Sequence, residues 1–251
     1  MTSRILILGG TTEAYGLADA LATTPTLSVM TSLAGRTANP RLAAGETRIG
    51  GFGGVPGLTK YLRDEGIQAV VDATHPFASG MGWNAAEACR LEGVPLLRLE
   101  RPAWVATPGD LWSPVNDWDA AIDALRETAA KRVFLAVGRQ ELTPFARLDD
   151  IWFLIRVVTP PDPMPPFRLS ELLLSRGPFD LERERRLLDA QRIDTIVCKN
   201  SGGEATADKL VAARERGIRV IMRERPKRPQ VPLARNVTET LAWIERTLRR
   251  R

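Results

Sequence analysis

Short apolar runs, each closed by glycine or a polar residue and followed by an amphipathic stretch, recur along this chain. The first is Ile5-Leu6-Ile7-Leu8, which runs into Gly9-Gly10-Thr11-Thr12-Glu13 and then a helical pattern over residues 14–22. A run without a polar position is buried on both faces, as an inner parallel strand is, and helices between such strands cover the sheet on both sides. The same rhythm predicts strands over 27–32, 68–72 and 95–99. Helices are predicted over 55–65 and 79–91, with Gly66 in the C-terminal cap region of the first and a flexible turn at 50–54 before it.

After the breakers Thr107-Pro108-Gly109-Asp110 the alternation begins again. It predicts a helix over 117–128, a strand over 132–137, a glycine-led turn at 138–141 into a further helix, and a strand over 151–158. A helix over 181–191, a strand over 195–198, a helix running to residue 216 with Gly217 as cap, and a strand over 219–222 complete the series. Residues 160–166 hold five prolines and must form an exposed, stiff loop, placed to serve as a lid. The fold expected is α/β, with two Rossmann-like parallel-sheet domains, 1–105 and 106–251, facing one cleft. The halves show no close sequence repeat.

Composition adjusts this picture in two places. The chain has 251 residues, 44% of them hydrophobic, enough for the cores of two domains. None of its apolar runs is long enough for a signal peptide or a membrane span, so a cytoplasmic protein is expected. Cys89 and Cys198 lack metal-ligand spacing and read as reduced core thiols, and with a single histidine no metal site is expected. The net charge of +5 is uneven, because the surplus lies beyond residue 222, in Arg223, Arg225, Lys227, Arg228, Arg235, Arg246 and Arg249 to Arg251. No helix-turn-helix, zinc or RNP-type pattern accompanies these cations, so a small polyanionic ligand is expected rather than nucleic acid.

The candidate chemistry sits at the strand ends, where ligands of parallel sheets gather. Gly9 and Gly10 admit a close backbone approach, and the helix that follows presents unpaired N–H groups and a positive dipole end, which suits a phosphate. Thr11 or Thr12 can cap that helix or donate to a phosphate oxygen. The spacing is not a full G-x-G-x-x-G, and an ordinary capped strand-to-helix turn remains the alternative. At the end of the second strand, where an acid would select NAD, stand Thr31, Ser32 and Arg36, so a bound dinucleotide should be NADP. Asp72 and His75 follow the strand over 68–72, and His75 is placed for proton transfer or for donating to a carboxylate, or is a loop residue stiffened by Pro76. Gly138-Arg139-Gln140 and Lys199-Asn200-Ser201-Gly202-Gly203 form two further polar turns, the latter a second anion cradle and an alternative seat for the cofactor phosphates.

Taken together, Leu8-Gly9-Gly10-Thr11-Thr12-Glu13, Asp72-Ala73-Thr74-His75-Pro76-Phe77-Ala78, Arg101-Pro102, Gly138-Arg139-Gln140, Lys199-Asn200-Ser201-Gly202-Gly203 and Arg225-Pro226 resemble the precorrin-6A reductases of cobalamin biosynthesis. The motifs run from end to end in the family's order. The resemblance implies an NADPH-dependent enzyme that reduces a double bond of the precorrin-6A macrocycle to give precorrin-6B. The cobalt-precorrin-6A version of the step and a non-catalytic NADP-binding sensor are the alternatives. On this view Gly9, Gly10, Thr11, Thr12, Ser32 and Arg36 hold NADPH, and His75 and Asp72 serve catalysis. A polycarboxylate tetrapyrrole needs distributed cations, which assigns substrate binding to Arg101, Arg139, Gln140, Lys199, Ser201, Gly202 and Gly203. A monomer is expected.

Overall fold

The computed structural model describes residues 2–35 and 41–249. The chain begins with β1 (Ser3–Leu8), α1 (Thr12–Ala22), β2 (Leu27–Leu33), β3 (Glu46–Ile49), α2 (Gly54–Asp64), β4 (Ala69–Asp72), α3 (Ser79–Glu92) and β5 (Leu96–Leu99). It continues through β6 (Trp112–Val115), α4 (Trp118–Glu127), β7 (Arg132–Ala136), two 3-10 segments (Arg139–Glu141 and Thr143–Arg147), β8 (Trp152–Val157) and β9 (Ser170–Leu174). The remainder is α5 (Leu181–Ala190), β10 (Thr195–Lys199), α6 (Asp208–Glu215), β11 (Arg219–Arg223), β12 (Leu233–Ala234) and α7 (Val237–Leu248).

Two compact units result, the first comprising Met1–Pro102 and Pro226–Arg251, the second Ala103–Arg225. Each holds a six-stranded sheet, in the orders β12-β5-β4-β1-β2-β3 and β6-β11-β10-β7-β8-β9. The strand pairs are parallel throughout. Side chains alternate across the sheet, so Ile5 and Ile7 join one core beneath α1 and α7 while Leu6 and Leu8 join another beneath α2 and α3. The second unit repeats this, with Val133 and Leu135 on one face and Phe134 on the other. Helix α1 buries Ala14, Leu17, Ala18 and Leu21, the spacing of a single helical stripe.

The α/β expectation and the inner strands agree with the structure, but the domain boundary does not. Residues 226–251 were expected in the second domain, yet β12 pairs with β5 through Leu233↔Arg98 and Ala234↔Leu99. From α7, Ile244 is buried in the same core as Ile5 and Leu97. The expected linker at 107–110 is a turn inside the second unit, closed by Asp110 Oδ2 accepting from the Thr107 N–H at 2.7 Å. The turn at 138–141 leads into 3-10 segments rather than a helix, and the helix expected to follow the Lys199 loop begins only at Asp208. Both cysteines are buried and free, and burial beside Asp72 pushes the Cys89 thiol up to about 12. Among the described residues, no helix is long and apolar enough to cross a membrane.

Candidate functional site

Chain order within each sheet fixes where a ligand crevice opens. From β1 the first sheet grows one way through β2 and β3, and from β4 the other way through β5 and β12, so its reversal lies between β1 and β4. In the second sheet β7, β8 and β9 run one way and β10 and β11 the other, so the reversal lies between β7 and β10. Successive loops leave such a point toward opposite faces, which opens a crevice at the carboxyl ends. The turns at 9–13 and 72–78 flank the first reversal, and those at 138–141 and 199–203 flank the second.

At the first reversal Gly9 lies so close to Thr31 that a Cβ there would meet its Cγ2 at 2.9 Å. Gly10 has φ +113°, which disfavours any side chain, and nothing stands within 4 Å of where a Cβ would point. The backbone is thus bare and open at the start of α1, a geometry that fits a dinucleotide pyrophosphate. Of the two threonines, Thr11 is committed to the fold. Its hydroxyl accepts from the Ala14 N–H at 3.2 Å and donates to the Ala73 carbonyl at 2.8 Å, tying α1 to the end of β4. Thr12 is exposed and keeps its hydroxyl at the helix start. Glu13, in the first turn of α1, binds Arg101 at 2.8 Å, which brings the end of β5 to the opening turn.

Ser32, at the end of β2, accepts from Arg48 Nη1 at 2.8 Å. Arg48 belongs to β3 and was not among the expected site residues, because nothing in the sequence sets Glu46-Thr47-Arg48-Ile49 beside Ser32. Arg36 lies outside the described residues.

Asp72, expected to serve catalysis, has both carboxylate oxygens engaged within the fold. Its Oδ1 accepts from the Thr74 N–H at 3.1 Å and the Thr74 hydroxyl at 2.6 Å, and its Oδ2 accepts from Arg228 Nη2 at 2.6 Å. The two side chains of this ion pair are only 3% and 6% exposed. A carboxylate so enclosed ties the 72–74 turn to Arg228. His75 is half-buried, and its Nδ1 accepts from the Phe77 N–H at 3.2 Å. An Nδ1 that accepts leaves Nε2 as the donor nitrogen of the ring.

At the second reversal Lys199 meets Glu141 Oε1 at 2.9 Å, and Arg223 meets Glu141 Oε2 at 3.1 Å. Gly138, at φ +95°, leaves room for Lys199, whose Nζ lies 3.8 Å from where a Cβ would stand. Arg139 and Gln140 follow in the 3-10 segment, Gln140 exposed and Arg139 half-buried. Gly202 and Gly203 both take left-handed φ, +67° and +78°, so the loop depends on two residues without side chains. Arg225 braces it, donating to the carbonyls of Asn200 at 3.0 Å and Ser201 at 3.2 Å. Asn200 is bound in both directions to the Trp104 backbone. The structure thus brings Gly138, Lys199 and the Ser201-Gly202-Gly203 loop to one crevice, and adds Glu141, Arg223 and the Trp118 ring that Arg223 covers at 4.7 Å.

Residues 4–245 match the family model described as precorrin-6x reductase CbiJ/CobK. The precorrin-6A reductase of Rhodococcus erythropolis is 47% identical over 250 residues, covering 99% of this chain and all of that protein. The cobalt-precorrin-6A reductase of Priestia megaterium is 29% identical over 180 residues, covering 68% of this chain and 70% of its own. A solved structure of CobK precorrin-6A reductase superposes with a TM-score of 0.93 at 42% identity, over 98% of this chain and 97% of that one. With its full length matched in sequence and fold, the chain belongs to the precorrin-6x reductase family.

Proposed function

We propose that this protein reduces one double bond of the metal-free precorrin-6A macrocycle to give precorrin-6B in cobalamin biosynthesis, with NADPH as the reductant. The end-to-end likeness to proteins named precorrin-6A reductase carries this reading. The higher identity of those relatives, against those named for the cobalt substrate, favours the metal-free macrocycle.

In this reading the bare backbone of Gly9 and Gly10, the α1 N-terminus and the Thr12 hydroxyl hold the NADPH pyrophosphate, with Thr11 fixing the helix behind them. Ser32, near the end of β2, stands at the adenosine end. NADPH, when bound, supplies a hydride to one carbon of the macrocycle, and a proton must reach the neighbouring carbon. His75 offers the Nε2 proton to the substrate or to a water on it, and Asp72 acts through Thr74 and Arg228 to keep that turn in place. Lys199, Arg139, Arg101 and Gln140, with the Ser201-Gly202-Gly203 backbone, bind the peripheral carboxylates. Glu141 holds the lysine and Arg223 in register until a substrate carboxylate takes up part of their charge.

Incubation of the purified protein with precorrin-6A should consume NADPH and yield a product heavier by two hydrogen atoms. Lys199→Ala and Arg139→Ala should raise KM for the macrocycle about 10- to 100-fold, the range of a charged hydrogen bond, with KM for NADPH unmoved. No NADPH consumption with the macrocycle would overturn the assignment.

A further inference from the structure

The edge of the first sheet holds a cation that the fold places deliberately. Arg48 is paired in register with Ser32, so the ends of β2 and β3 stand side by side. One of its nitrogens, Nη1, donates to the Ser32 hydroxyl at 2.8 Å and to the Gly50 carbonyl at 3.1 Å, while Nη2 donates to the Gly51 carbonyl at 3.0 Å. Its guanidinium lies 3.9 Å from the centre of the Phe52 ring and 5.2 Å from that of Tyr61. The two rings brace each other edge to face at 5.1 Å. An arginine stacked in this way loses little side-chain freedom when it binds a ligand. Among the described residues, its Nε–H and second Nη2–H have no acceptor. The glycines that follow leave the approach open, since nothing stands within 4 Å of a Cβ at Gly50, Gly51 or Gly53.

We infer that Arg48, fixed between the Ser32 hydroxyl and the 50–51 turn over Phe52, is the residue that recognises the ribose 2′-phosphate of NADPH and so decides the choice between NADPH and NADH. The inference rests on the proposed NADPH site in the first unit. In a sheet that reverses between β1 and β4, the adenosine half of a dinucleotide lies over the β1-β2-β3 side, and its ribose meets the end of β2. Arg48 is a fixed cation at that point, with two donors to spare, and among the described residues it is ion-paired with no carboxylate. Ser32 adds a hydroxyl that can share the same phosphate oxygen.

Calorimetric titration of the full chain with 2′,5′-ADP and with 5′-AMP separates the 2′-phosphate from the rest of the nucleotide. The unaltered protein should bind 2′,5′-ADP the more tightly. Arg48→Gln keeps amide donors for Ser32 and the turn but loses the charge. It should cost about 10- to 100-fold in 2′,5′-ADP affinity and leave 5′-AMP affinity as it was. Arg48→Lys should recover part of the preference. Retained preference in Arg48→Gln, or equal loss of both nucleotides, would overturn the inference, the latter making Arg48 a latch for the turn. Loss of the preference in Arg36→Ala but not in Arg48→Gln would move the role to Arg36. An unaltered protein that does not prefer 2′,5′-ADP would overturn the NADPH reading itself, and the inference with it.

Discussion

A carboxylate at the end of an inner strand invites a chemical role, but Asp72 spends both oxygens on its own turn and on Arg228. Removing one partner of a buried ion pair typically costs about 3–5 kcal/mol, because the other charge is left without compensation. Asp72→Asn should therefore lower unfolding stability by about that amount, and Asp72→Asn combined with Arg228→Met should recover part of the loss. Urea unfolding of the two single variants and the double variant checks this. Full stability in Asp72→Asn with turnover abolished would instead return the residue to catalysis. The motifs themselves were legible because each lies within a few consecutive residues, and Gly9, Gly10, Gly202 and Gly203 sit where bare backbone is required. Their partners were not, since Arg228 reaches Asp72 from 156 positions away and Arg223 reaches Glu141 from 82. Pairing at that separation is a product of the fold.

Among the elements, four strands escaped the apolar rhythm: β3, β6, β9 and β12. They are the edges of the two sheets. An edge strand is covered on fewer sides and needs no continuous apolar run, and β9, with Leu172 38% and Leu174 54% exposed, is the extreme case. Charged residues inside helices were equally opaque. Helix α5 is rich in charged residues, yet Glu184 is 2% exposed and binds Arg156 at 2.7 Å between the rings of Phe134 and Phe179. Lys209 in α6 is buried too, with Nζ donating to the Thr206 carbonyl at 2.5 Å, and burial lowers its pKa from the ordinary 10.5. Between that lowered value and 10.5 the unfolded chain binds more protons than the folded one, so stability rises with pH through the window, and below it the full penalty is present. Lys209→Met keeps the stem and removes the charge. It should be the more stable protein at pH 7, with a margin that shrinks as pH climbs toward 10.5. Urea midpoints for both proteins at several pH values measure this, and a margin that does not change with pH would contradict it.

For the whole molecule, the decisive feature is that the first unit is written in two pieces, Met1–Pro102 and Pro226–Arg251, around the second. A chain stopped after Arg225 would lose β12 and α7, bare the outer edge of β5, uncover the core around Ile5 and Leu97, and leave Asp72 without Arg228. Both cores of the second unit are built wholly from its own residues. Calorimetry of the shortened chain should accordingly keep the cooperative transition of the second unit and lose that of the first, and an unaltered melt would refute this. The same arrangement sets a timetable on the ribosome. Translation delivers β1 to β5 first, then all of Ala103–Arg225, and only afterwards the strand and helix that close the first sheet. The later-written unit can therefore reach its native form before the earlier one. At about 5–20 residues per second the nascent N-terminal sheet waits on the order of ten seconds with an open edge and an uncovered apolar face. That interval is when a newly made chain has most need of a chaperone.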